Sequence, residues 1–282
     1  MPKGTLFVVA TPIGNLEDIT LRALRILREV SIIAAEDTRR TAHLLARHAI
    51  ATPTTSLHAH NERQKAPGLV ERLLEGQSVA LVSDAGTPTI SDPGVQLIAA
   101  AVAAGVRVEP IPGPSAILAA LTASGMPVDA FTFLGFPPTK AKDRRQWFER
   151  LRLVRGIVVF FEAPHRIERT LTELRSSVGD CPISLSRELT KTHEESVRGP
   201  ISQILSGRVE QRGEFTVVIN IGQLPDFAEP RPPDDRAIGA EFGEMTAKLR
   251  KTRRQAVAEL ARRYGLAPNA VYDAIERSKS RG

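Results

Sequence analysis

The stretch Leu81 to Gly94, LVSDAGTPTISDPG, decides how the rest of the chain is read. A short apolar run, Val79 to Val82, ends in Ser83-Asp84. Two carboxylates (Asp84, Asp92), three hydroxyls (Thr87, Thr89, Ser91) and two glycine–proline turn signals crowd the residues that follow. Such a composition reads as a tight polar loop at the C-terminal end of a strand. Ligands of open α/β sheets sit at that edge. The alternative is a merely structural turn, but a plain strand-to-helix connection needs only ~2–6 residues and fewer acceptors.

Working outward, similar strand–loop–helix units flank this one. Thr5 to Ala10 is an apolar, β-branched run followed by the breaker-rich Thr11-Pro12-Ile13-Gly14-Asn15. Thr20 then stands as the cap of a helix whose apolar side is read as Leu21, Leu24, Ile26, Leu27 and Val30. Ile32 to Ala35 reads as a strand ending in Glu36-Asp37-Thr38-Arg39-Arg40, and Ser56 to His58 as another. Helix 62–75, strand 79–83, helix 94–104, strand 106–110 and helix 115–123 complete an alternating pattern, which argues a mostly parallel, doubly wound sheet.

The pattern restarts near Ser124. Strands are expected at Phe131 to Leu134, Gly156 to Phe161, Ile183 to Ser186, around Val197 and at Phe215 to Ile221, with helices at 142–153 and 165–176. The closing strands lack long helices between them, so antiparallel pairing is expected. The fold class is therefore α/β: an N-terminal domain over 1–123, a mixed α+β domain over 124–222, a Pro- and acid-rich linker over 223–235, and a basic helical appendage over 236–282 with helices at 236–249, 253–264 and 268–278.

Composition restricts the function classes. The 282 residues are 42% hydrophobic and 25% charged, ordinary values for a globular chain. No apolar run approaches a membrane span, and no secretory leader is evident, so the expected compartment is the cytoplasm. The single cysteine, Cys181, excludes an internal disulfide and a thiolate metal cage, and reads as a small residue beside a strand. The net charge of +6 thickens toward the C-terminus, which favours a polyanionic partner. There is neither a GxGxxG fingerprint nor a P-loop, which argues against nicotinamide, flavin and triphosphate sites.

Several motifs carry chemistry beside a plainer reading. Arg187-Glu188 and Lys191-Glu194 hold candidate acid–base groups, or are solvated ion pairs. His165 is a base or a helix-start residue, and His58 with His60 makes only a weak metal pair, so no metal is expected. Trp147 and Phe148 lie among basic residues, where they either stack a base or form the buried side of a helix. In the tail, Ala261 and Gly265, with Val257, Leu260, Tyr264, Val271 and Ile275, suit a small helix-turn-helix core that clamps RNA or supports a dimer.

The ordered set VVATPIGNLEDITLRAL, AAEDTR, SDAGTPTISDPG, PIPGPSA, FFEAPHR, RELTKTHEE and GEFTVVI resembles the tetrapyrrole methylase superfamily, and its ribosomal RNA branch in particular, over residues 4–222. The resemblance implies two α/β domains folded around S-adenosylmethionine, a homodimer, and 2′-O-methylation of a cytidine (position 1402) in the decoding region of 16S ribosomal RNA within the small subunit. It places the cofactor against Pro12, Gly14, Asp84, Ala85, Gly86, Thr87, Ser91 and Ser115, with Phe161 and Glu162 added from the second domain. A ribose hydroxyl needs a proton acceptor. Asp37, Glu36, Asp84, Glu188 and Glu194 are candidates, with Lys191 or Arg187 beside them; Asp37, Glu188 and Lys191 are taken as the catalytic set. The rivals are a tetrapyrrole-precursor methylase of the same fold and a non-catalytic nucleic-acid-binding regulator.

Overall fold

The computed structural model describes residues 2–207, 210, 212–222, 235–247, 252–264, 266 and 268–280. They form two units, 1–222 and 223–282. In the first, β1 (Thr5–Val9), β2 (Ile32–Ala35), β3 (Thr54–Ser56), β4 (Val79–Val82) and β5 (Arg107–Ile111) make a wholly parallel sheet in the order β3-β2-β4-β1-β5. Strand β4, VALV, is buried at every position, as a central parallel strand covered on both faces must be.

The side-chain alternation sorts the core into two layers. Ile33, Ala35, Ala80 and Val82 face α1 (Leu21–Glu29) and α2 (Thr38–Arg47). Ala34, Val79 and Leu81 face α3 (Glu62–Leu74) and α4 (Val95–Ala103). Thr20 caps α1 as expected, its hydroxyl accepting from the Ala23 amide at 3.1 Å. Of the expected apolar side, Ile26, Leu27 and Val30 are buried, together with Ala23, and Leu24 is partly buried, whereas Leu21 is 86% exposed. Leu21 lies one turn before Leu24 and Arg25, on the flank of the stripe.

The second sheet has the order β6-β7-β10-β8-β9, built from β6 (Phe131–Phe133), β7 (Gly156–Glu162), β8 (Pro182–Arg187), β9 (Glu195–Pro200) and β10 (Phe215–Ile221). Only β6 and β7 are parallel; the other pairs are antiparallel, as anticipated. One face carries α6 (Ala141–Leu153), α7 (Ile167–Val178) and the short α8 (Ile201–Ser206), the last unforeseen. The other face receives α5 (Ala116–Ala123) through Ile117, Ala120 and Leu121. Thus α5, expected within the first domain, packs on the second sheet.

The expected linker falls largely on residues outside those described. In the second unit, α9 (Asp235–Ala247), α10 (Arg253–Tyr264) and α11 (Pro268–Ser280) enclose Ile238, Phe242, Leu260, Val271 and Ile275. Leu260, Val271 and Ile275 were expected there, with Val257 partly buried beside them; the expected turn at Gly265 and the Tyr264 side chain lie outside the described residues. Among the described residues no helix is long and apolar enough to cross a membrane.

Candidate functional site

The chain leaves β1 toward β2 on one side and leaves β4 toward β5 on the other, so the C-terminal ends of these neighbouring strands diverge into a crevice. A reciprocal backbone pair holds the two loops above it: Thr11 N donates to Gly86 O and Gly86 N to Thr11 O, each at 2.9 Å. Gly86 has φ +77°, a conformation a side chain would strain. Two non-glycine residues of the same loop, Thr89 (φ 75°) and Ser91 (φ 67°), are also left-handed. Strain of about 1–3 kcal/mol per residue persists where the surroundings over-determine it, and such residues cluster at ligand sites.

A cleft of about 720 Å³ opens between the loops of the first sheet and the inner face of the second. Asp84, Ala85, Gly86, Thr87, Ser91, Ser115, Phe161, Glu188 and Lys191, all singled out from sequence, line it. So do Glu36, Arg40, Asp92, Glu214 and an apolar set that includes Ile13, Ile90, Phe131, Phe133 and Phe136. Ser115 meanwhile caps α5, its hydroxyl facing the Leu118 amide at 3.4 Å.

Four expected contacts are placed elsewhere. Pro12 lines a small adjoining hollow with His43 and Leu44, which shares Arg40 and Asp84 with the cleft. Gly14 meets protein: a Cβ there would stand 2.5 Å from Lys191 Cγ and 2.8 Å from Leu189 O. Its missing side chain lets the first loop press on the turn after β8, where Asn15 N donates to Thr190 Oγ1 at 3.0 Å. Asp37 caps α2 and is bound by Arg39, whose Nη2 lies 2.7 Å from its carboxylate. That guanidinium holds the Asp37 carboxyl well below the usual range, which makes it a poor proton acceptor, and Asp37 does not line the cleft.

Glu162 is corrected outright. Alternation along β7 turns Phe161 to the cleft and Glu162 to the opposite face, with Val158 and Phe160. There it is fully buried against Arg166, accepts from Thr170 Oγ1 at 2.6 Å and Ala163 N at 2.7 Å, and sits 3.9 Å from Arg144. Trp147 and Phe148 are also buried on that face, so the packing reading of them holds and they have no ring free to stack.

The remaining cleft carboxylates are densely coupled. Asp84 accepts from Asp37 N at 3.0 Å and pairs with Arg40 at 3.3 Å, while Glu36 accepts from Asp84 N at 3.2 Å. Burial raises the Glu36 carboxyl above its ordinary range. Asp92 is pushed up to about 7 by burial and by the neighbouring Glu36, against the lowering effect of Ser83. On the facing wall, Lys191 Nζ holds Glu188 Oε1 at 2.9 Å. The turn carrying both is left-handed at Glu188 (φ 50°) and Thr190 (φ 67°). Gly213 leaves the room into which the Glu188 carboxylate fits. Asp92 and Glu214 were missed as functional candidates, although the crowding of carboxylates around the Asp84 loop was a visible signal for the first.

A family model described as Tetrapyrrole (Corrin/Porphyrin) Methylases matches residues 5–205. The chain belongs to this family. A ribosomal RNA small subunit methyltransferase I from Halalkalibacterium halodurans is 47% identical over 219 residues, 77% of this chain and 76% of that protein. One of the same name from Vibrio cholerae is 42% identical over 279 residues, 96% of this chain and 95% of its own. Among solved structures, a diphthine synthase superposes with TM-score 0.62 at 15% identity, covering 77% of this chain and 90% of its own. A Thermus thermophilus uroporphyrin-III C-methyltransferase complexed with S-adenyl homocysteine gives 0.56 at 18%, covering 77% and 97%. These two likenesses establish the shared methylase fold.

Proposed function

We propose that this member of the tetrapyrrole methylase family is an S-adenosylmethionine-dependent ribosomal RNA methyltransferase, and that it methylates the 2′-hydroxyl of a cytidine in the decoding region of the small-subunit RNA. The observation that carries the reading is kinship over 77% and 96% of the chain with two proteins named ribosomal RNA small subunit methyltransferase I.

The cleft suits the cofactor. Its volume of about 720 Å³ lies in the range of small-molecule sites, ~300–1,000 Å³. Glu36, Asp84 and Asp92 gather carboxyl groups on one wall, which a sulfonium and an ammonium would draw toward their charged forms, while the facing wall is aromatic. When bound, S-adenosylmethionine supplies a methyl group already activated by its sulfonium. The residues assigned to hold it are Asp84, Ala85, Gly86, Thr87, Ser91, Ser115 and Phe161.

The protein's part is then orientation and proton management. A ribose hydroxyl must lose its proton as it attacks, and Glu188 is assigned as the acceptor. Lys191 steers that carboxylate and offers positive charge to the developing alkoxide. The left-handed turn, clasped by Gly14 and Gly213, keeps both groups in place. A homodimer working on the assembled subunit in the cytoplasm completes the reading.

The test is methyl transfer from labelled S-adenosylmethionine to small ribosomal subunits that lack their own modification, with the site mapped by resistance to alkaline cleavage. One protected cytidine in the decoding region is expected. Cofactor binding without label in RNA would instead favour a small-molecule methylase, and no cofactor binding would leave a regulator.

A further inference from the structure

The sequence offered Trp147 as a base-stacking residue, and the fold buries it. The exposed rings of the cleft are Phe131 and Phe136, 42% and 43% accessible. Phe136 stands 5.3 Å from Phe161, which in turn stands 5.0 Å edge-on to Phe133. Phe136, Phe161 and Phe133 thus form a run of ring contacts, Phe131 lines the same cleft, and Phe131 and Phe136 are the more exposed of the four.

The segment carrying Phe136 is fixed along its length. Leu134 N donates to Val159 O and Phe161 N to Gly135 O, each at 2.9 Å. Trp147 Nε1 donates to Leu134 O at 3.2 Å, Arg166 Nη1 to Pro137 O at 3.1 Å and Arg144 Nη1 to Pro138 O at 3.4 Å. Trp147, with Arg144 and Arg166, therefore holds the backbone from which an exposed ring projects. Exposed Lys140, Lys142 and Arg145 follow within nine residues. Four residues span at most about 14 Å, so Lys140 stays near the ring.

We infer that Phe131 and Phe136 form a stacking platform for an unstacked nucleobase of the RNA substrate, while Lys140, Lys142 and Arg145 track the adjoining phosphates. The inference rests on the function proposed above. Aromatic rings beside a basic track are how single-stranded nucleic acid is held. Sequence-selective RNA contact likewise uses bases splayed out of their stack. The adenine of the cofactor is the competing occupant of an aromatic wall. That cofactor carries no phosphate, so it gives the basic track no ligand, and the outer rings are the more solvent-exposed ones.

The experiment compares full-length wild type with Phe136→Ala, Phe131→Ala, Phe136→Trp and the pair Lys140→Ala/Lys142→Ala. Binding to unmodified small ribosomal subunits and binding of S-adenosylmethionine by calorimetry are measured separately. Phe136→Ala is expected to weaken subunit binding by about 5- to 150-fold, the range for one stacked base. Phe136→Trp restores it, the lysine pair weakens subunit binding and flattens its salt dependence, and cofactor affinity stays within about twofold in all of them. Weakened cofactor binding with intact subunit binding would assign the ring to adenine and overturn the inference, as would no change in either. A wild type that binds cofactor but neither binds nor methylates subunits would instead overturn the functional reading, and the platform with it.

Discussion

Replacing Glu162 by glutamine separates a structural carboxylate from a ligand-binding one. Glutamine keeps the volume but removes the charge shared by Arg166 and Arg144. Breaking a buried pair from one side costs about 3–5 kcal/mol, because the remaining charge stays uncompensated. Arg144 retains Glu173 at 2.6 Å, and the Arg166 side chain is 17% exposed, so the loss falls at the lower end, about 3 kcal/mol. At ~2–4 °C per kcal/mol for a unit of this size, that is a fall of about 6–12 °C in Tm. The chain has a single tryptophan, and Trp147 lies in the same core, so its fluorescence in urea reports the affected region. A double-mutant cycle with Arg166→Met should give a coupling above about 1 kcal/mol. Cofactor affinity of the folded protein should stay within threefold of wild type. A loss below 1 kcal/mol, or a tenfold loss of cofactor affinity at unchanged stability, would refute the assignment.

Asp92 should make cofactor binding depend on pH. Its carboxyl is neutral below about 7 and charged above, and a bound cation favours the charged form, so affinity should tighten as pH rises through about 7 with proton release. Calorimetry across pH 5.5–8.5 checks this; Asp92→Asn should flatten the profile, and a flat wild-type profile would contradict it. The same raised pKa makes the ligand-free protein lose stability as pH climbs from about 4 to 7, a slope that Asp92→Asn should remove in urea unfolding. Glu188→Gln should lower kcat about 10²- to 10⁴-fold in single-turnover methyl transfer while leaving cofactor affinity alone, whereas near-normal kcat would move the proton acceptor elsewhere. Removing residues 223–282 should weaken subunit binding and spare cofactor binding, as filter binding and calorimetry would show; full subunit affinity would eliminate the clamp role.

Most strands and the polar loops were legible because each rests on a local signal. The fully apolar VALV of β4 runs into Ser83-Asp84, and Thr20 is a helix cap by residue type alone. What stayed hidden was which face a residue takes when both faces are apolar. GIVVFFE of β7 has no polar alternation, since α5 covers one side and α6 with α7 the other. Phe161 and Glu162 therefore looked equally suited to meet a ligand. The parity is set by partners on the covering helices, Arg144 on α6 and Thr170 on α7, and a one-residue step decides between cleft and core. The same ambiguity exchanged the roles of the aromatics. Beside so many charges, Trp147 and Phe148 looked available to solvent, yet Arg144 is itself buried and lies 5.3 Å over the Phe148 ring, so α6 turns part of its basic character inward. A charge run marks an exposed face only when its members are free of buried partners. Here the buried arginine anchors the Pro137-Pro138 backbone through Pro138 O, and the exposed ring is at Phe136, ahead of the helix on which the sequence left stacking and packing both open.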